Sequence, residues 1–88
     1  MELSKKEVKV LWQVSEGIST PEGISSYIHA ETEEVKEILQ KLQEEKLIVM
    51  TVTFDYEQQK EEWSIKVTKK GQKELENCQE ILNEFYSQ

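Results

Sequence analysis

Apolar residues recur along the first half of the chain at intervals of three and four, and along the middle at intervals of two. Val8, Leu11 and Trp12, with Ser15 after them, keep the helical interval, and Val10 and Val14 widen that face. Ser4-Lys5-Lys6-Glu7 reads as a capping box, in which hydroxyl and carboxylate each satisfy a first-turn N–H. Gly17 fits the left-handed stop that closes a helix. Thr20 then caps a short second helix, with Pro21 at the first position, where the missing N–H costs nothing. Ser19 with Glu22 is a competing box one residue earlier. Ile24, Tyr27 and Ile28 form the inward face of this helix, and His29-Ala30-Glu31 breaks it. Thr32 caps a third helix whose first turn holds Glu33 and Glu34, favourable against the helix dipole. Val35, Ile38, Leu39 and Leu42 complete its apolar stripe.

Beyond Leu47 the period changes. Ile48, Met50, Val52, Phe54 and Tyr56 alternate with Val49, Thr51, Thr53 and Asp55. Trp63, Ile65 and Val67 alternate with Glu62, Ser64, Lys66 and Thr68. Residues 57–61 are polar and turn-like, so the pattern predicts a β-hairpin with one face on a core. Thr68-Lys69-Lys70-Gly71 opens a last helix over residues 69–88, with Leu75, Cys78, Ile81, Leu82 and Phe85 apolar. The expected core is Val8, Leu11, Trp12, Ile24, Ile28, Val35, Ile38, Leu39, Leu42, Ile48, Trp63, Ile65 and Val67. No repeat or linker interrupts the series, so residues 1–88 read as a single domain.

Composition narrows the function classes. A chain of 88 residues has room for one small core, and with 36% hydrophobic and 33% charged residues it is neither disordered nor membrane-embedded. One Cys and one His exclude a disulfide scaffold and a thiol zinc site. No apolar run reaches the ~20 residues of a membrane span and the first residues form no signal peptide, so the expectation is a soluble cytoplasmic protein. No cofactor motif is present. Eighteen acids against eleven bases, all lysine, give a net charge of −7. Phosphate neutralisation supplies most non-specific DNA affinity, so any DNA binding should be weak and salt-sensitive. Without arginine the chain also lacks the commonest reader of guanine.

Helix, helix, helix, hairpin, helix is the order of a winged helix-turn-helix, an α+β fold that is mostly α. The segment LSKKEVKVLWQVSEGISTPEGISSYIHAETEEVKEILQKLQEEKLI resembles the opening helices of MarR- and PadR-type regulators. VKVLWQVSEG is also similar to the BlaI/MecI type, and WSIKVTKKGQKELE resembles the second wing strand and following helix, where Thr-x-x-Gly recurs. The resemblance implies that the third helix enters a DNA major groove and the hairpin tip a minor groove. It places Thr32, Lys36, Gln40 and Lys41 on the recognition helix, with Gln40 suited to adenine and the lysines to guanine or phosphate. Lys60 would sit at the wing tip, and Lys66, Lys69, Lys70 and Lys73, with Lys5, Lys6 and Lys9, read either as a phosphate-facing patch or as ordinary soluble helix starts. The chain departs from these families in being shorter, and from ArsR-like sensors in having no Cys/His cluster.

Blander readings stand beside these. The third helix's outward face, also holding Glu33, Glu34 and Glu37, reads equally as a solvated surface, and the tip at 57–61 as a solvated turn. Trp12 and Trp63 read as core, His29 as a turn residue, and Cys78 as a small hydrophobe. One His and one Cys assemble no nucleophile–base–orienter set, so no enzyme is expected. The leading reading is a small DNA-binding transcriptional regulator; the rival is an acidic winged helix acting as a protein–protein module in a transcription, replication or viral assembly. Leu75, Cys78, Leu82 and Phe85 follow a coiled-coil interval, which predicts a homodimer through a continuous last helix with Leu82 and Phe85 at its centre; the alternative is that this helix folds back onto the first and is buried within a single chain.

Overall fold

The computed structural model describes the backbone of residues 3–86 and the side chains of residues 3–81 and 83. Helix α1 spans Lys5–Ser15, α2 Pro21–Ile28 and α3 Thr32–Glu44. Strands β1 (Ile48–Asp55) and β2 (Lys60–Val67) follow, then α4 (Lys69–Asn77) and α5 (Gln79–Tyr86).

The local signals act largely as the sequence implies. Ser4 Oγ accepts from the Glu7 N–H at 3.2 Å while Glu7 Oε1 accepts from the Ser4 N–H at 2.8 Å, so the capping box is formed. Thr20, not Ser19, caps α2, its hydroxyl accepting from the Gly23 N–H at 3.1 Å. His29 closes α2 with φ 56°, and Gly17 after α1 takes φ 100°. Thr32, however, is the first residue of α3 rather than its cap. Glu31 holds the cap position without a side-chain hydrogen bond, and the Thr32 hydroxyl lies 3.2 Å from Ser25 Oγ. That tie between hydroxyls joins α2 to α3 across the turn.

The strands pair antiparallel, Ile48 opposite Val67 and Asp55 opposite Lys60, so the turn is shorter than expected and Lys60 and Glu61 belong to β2. Thr68 caps α4, accepting from the Gly71 N–H at 3.1 Å and donating to the Lys46 carbonyl at 2.8 Å. Its own N–H donates to the Leu47 carbonyl at 3.0 Å. Gly71 is set directly against that carbonyl: a Cβ there would meet the Leu47 oxygen and Val67 Cγ1. The Thr-x-x-Gly motif therefore fastens α4 to the entry of β1.

A single core binds these elements. Val8, Val10, Leu11, Val14, Ile24, Val35, Leu39, Leu42, Leu47, Ile48, Ile65 and Leu75 are buried, with Leu3 closing one side. Trp12, Ile28, Ile38, Trp63 and Val67, expected inside, are only half-buried and pack at its edge. Tyr27, expected on the inward face of α2, is exposed. Pro21, Ile24 and Ile28 set that helix's inward direction, and Tyr27 falls about a quarter-turn away from it.

Two larger expectations change. The hairpin buries only its base. A strand of eight residues is about 26 Å long, against roughly 10–12 Å for a helix diameter, so its outer half overhangs the helical body. The last helix, expected to run unbroken over 69–88, is two helices. Cys78 leaves helical geometry at φ −103°, ψ 23°, and the chain restarts at Gln79. This break brings α5, as well as α4, against α1. Leu75 is buried in the chain's own core and Cys78 marks the break, so neither lies on a continuous seam. The side chains of Leu82 and Phe85, the centre of the expected dimer, lie outside the described residues.

Candidate nucleic-acid interface

Helix α3 presents four distinct sides. Val35, Leu39 and Leu42 face the core. One flank faces the start of α1 and is tied to it by two ion pairs, Lys6 Nζ to Glu34 Oε1 at 2.7 Å and Lys41 Nζ to Glu7 Oε2 at 2.5 Å. The other flank meets the hairpin, where Gln43 Oε1 accepts from the Met50 N–H at 2.9 Å. Outward there remain Glu33, Glu37, Gln40 and Glu44, all exposed, and Lys36 beside them at 3.6 Å from Glu33.

Of the residues assigned to DNA on this helix, Gln40 is thus exposed and Lys36 is reachable but partly neutralised. Lys41 is committed elsewhere. Its partner Glu7 keeps only 8% of its side chain exposed. Burial pushes the Glu7 carboxyl up, but the Lys41 ammonium and the Ser4 N–H and hydroxyl outweigh it and hold it below the ordinary value. Glu7 in turn raises the Lys41 ammonium. In the sequence Glu7 reads as half of a capping box and Lys41 as a DNA contact. Their pairing is non-local, and no pattern within either helix signals it.

The remaining lysines lie elsewhere. Lys70 Nζ donates to the Glu45 carbonyl at 3.0 Å, at the end of α3. Lys66 and Lys69, either side of Thr68, are exposed, as is Lys73 one turn further along α4. Lys60 is exposed on the outer hairpin, between Asp55 opposite it and Glu61 beside it. Lys66, Lys69 and Lys70 thus lie around the junction of β2 and α4, whereas Lys60 stands at the far end of β2.

Burial and then the Glu74 carboxylate push the Cys78 thiol up, away from a reactive thiolate at neutral pH. Among the described residues, no three His, Cys, Asp or Glu side chains gather as a metal site would require, and no helix is long and apolar enough to cross a membrane.

No family model matches the sequence, and no curated protein matches it. Solved structures match along nearly the whole chain. A Cys-to-Ser mutant of Lactococcus lactis ZitR aligns with a TM-score of 0.74 at 21% identity, over 99% of this chain and 57% of that one. MepR of S. aureus bound to ethidium bromide aligns at 0.68 and 20% identity, over 99% of this chain and 62% of that one. A Phe-to-Leu mutant of MepR bound to an oligodeoxyribonucleotide aligns at 0.64 and 20% identity, over 96% of this chain and 60% of that one. The fold is a winged helix. ZitR and MepR are MarR-family winged-helix regulators, so the likeness expected from the sequence extends to the architecture. The chain spans less than two thirds of the length of these winged-helix neighbours.

Proposed function

We propose that this winged helix is the DNA-binding part of a transcriptional regulator. The observation that carries the reading is the likeness, over 96% of the chain, to a winged helix solved with an oligodeoxyribonucleotide bound. In this reading α3 offers Gln40 and Lys36, with Thr32 at its start, to a major groove. Lys66, Lys69 and Lys70 at the base of the wing hold phosphates, and Lys60 is the one cation on the outer wing. Lys41 acts through Glu7, fixing α3 against α1, rather than on DNA directly. Residues 1–88 act as one unit, because α1 to α4 share a continuous core. A second copy, joined through Leu82 and Phe85 at the C-terminal end, matches the two-fold symmetry of a palindromic site.

Fluorescence anisotropy with a mixed-sequence duplex of about 30 base pairs tests the reading at low and physiological salt. Binding is expected at low salt and weakens steeply as salt rises. Lys66→Gln and Lys69→Gln each lower the salt slope by about one. Absence of binding at low salt, or binding unchanged by both substitutions, refutes it.

A further inference from the structure

Most large apolar side chains exposed among the described residues stand on the hairpin. Val52 (44% exposed), Phe54 (48%) and Tyr56 (82%) follow one another along β1 and into the turn. They continue the face that, nearer the body, carries Ile48 and Met50, and Trp63 stands half-buried opposite Val52. The Phe54 and Tyr56 rings meet edge to face with centroids 4.9 Å apart, so the tip of the strip is already ordered. A contiguous apolar strip of this kind marks an interaction surface, and exposed aromatics are its usual anchors.

The charge around the strip selects the occupant. Glu61 stands opposite Phe54 on the same face and makes no ion pair with any described residue. Asp55 and Glu62 stand on the opposite face of the same hairpin and Glu57 in its turn, and Lys60 is the only base among residues 55–62, which carry a net charge of −3. A phosphate backbone is repelled by that tip. A second copy would bring two such tips together. The strip is also two strands wide and about four residues long, far short of the ~800 Å² per partner that a stable interface needs. A short segment with apolar side chains and neighbouring cations satisfies both the strip and its rim.

We propose that the outer half of the hairpin is a docking strip for a short cationic amphipathic segment of a partner protein. Val52, Phe54 and Trp63 receive its apolar side chains, and Glu61 pairs with a lysine or arginine beside them. This holds whether or not α3 and the basal lysines bind DNA.

The probe is a fluorescent decapeptide of alternating leucine and lysine, since an extended segment repeats alternate side chains at the ~6.6 Å pitch of the strand. It is titrated against the full chain by anisotropy at physiological salt, with amide NMR shifts locating the contact. Saturable binding with shifts confined to residues 50–63 is expected. The double variant V52S/F54S and, separately, Glu61→Lys each weaken binding at least tenfold, and replacing the peptide's lysines by glutamates abolishes it. Circular dichroism confirms that the variants fold; Glu61→Lys, on an exposed site, keeps the test decisive if the double variant does not. Equal binding to wild type and Glu61→Lys, or shifts centred on the helices, overturns the proposal. So does concentration-dependent dimerisation of the wild type that is lost in V52S/F54S, or a duplex that shifts the same hairpin amides.

Discussion

Glu7 and Gly71 show how much single positions carry. Glu7 belongs to the capping box and to the ion pair with Lys41, and its carboxyl is held below the ordinary value of 4.5. Between the two values the folded chain binds fewer protons than the unfolded one, so this contribution is complete above pH 4.5 and disappears as the pH falls through the depressed value. Denaturant unfolding of wild type and Glu7→Gln from pH 7 to 3 should show a gap that closes on acidification; a gap constant across that range contradicts the pairing. At Gly71 the constraint is steric, because a methyl group meets the Leu47 carbonyl oxygen and must displace α4. Gly71→Ala should cost roughly 1–3 kcal/mol or more, measured by urea denaturation. Leu39, with no exposed surface, should lose about 2–5 kcal/mol on truncation to Ala; a loss under about 1 kcal/mol would mean that the α3 stripe is not core.

Elements differ in how openly the sequence announces them. The first three helices were legible because their caps and apolar intervals are local, and α1 and α2 begin where those signals place them. At α3 the local reading slipped by one residue, since the Thr32 hydroxyl is engaged by Ser25 of another helix. The outward side of α3 is dominated by Glu33, Glu37 and Glu44. Replacing Glu33 and Glu37 with Gln should release Lys36 and raise duplex affinity several-fold, more at low salt than at high, as screening requires. Unchanged affinity in the double variant would show that this face does not approach DNA. In the hairpin the alternation identified both strands, though β1 ends at Asp55 and β2 begins at Lys60, and alternation reports which side a residue takes and not whether anything covers that side.

For the molecule as a whole, a net charge of −7 opposes nucleic acid, so the proposed DNA reading rests on a few lysines at the hairpin base. With about four phosphate contacts, affinity should fall roughly a hundredfold between 50 and 200 mM salt. A nearly flat dependence would show that recognition does not run through those lysines. Sedimentation equilibrium at tens of micromolar tests pairing through Leu82 and Phe85. A concentration-dependent dimer that Leu82→Glu abolishes is expected, and a wild-type monomer rules out that pairing.

The sequence by itself determined the order of three helices, hairpin and C-terminal helical segment, most caps, the alternation of the strands and the greater part of the core. Each of these follows from intervals of two, three and four residues and from short-range hydrogen bonds. Tertiary structure decided what depends on partners distant in the chain. It sent Lys41 to Glu7, set Gly71 against Leu47, turned Tyr27 outward and broke the last helix at Cys78 so that α5 could lie on α1. It also left the hairpin's outer apolar face uncovered. Periodicity records a side chain's direction from its own backbone, whereas burial and charge pairing depend on which other element arrives on that side, and only the folded chain fixes that.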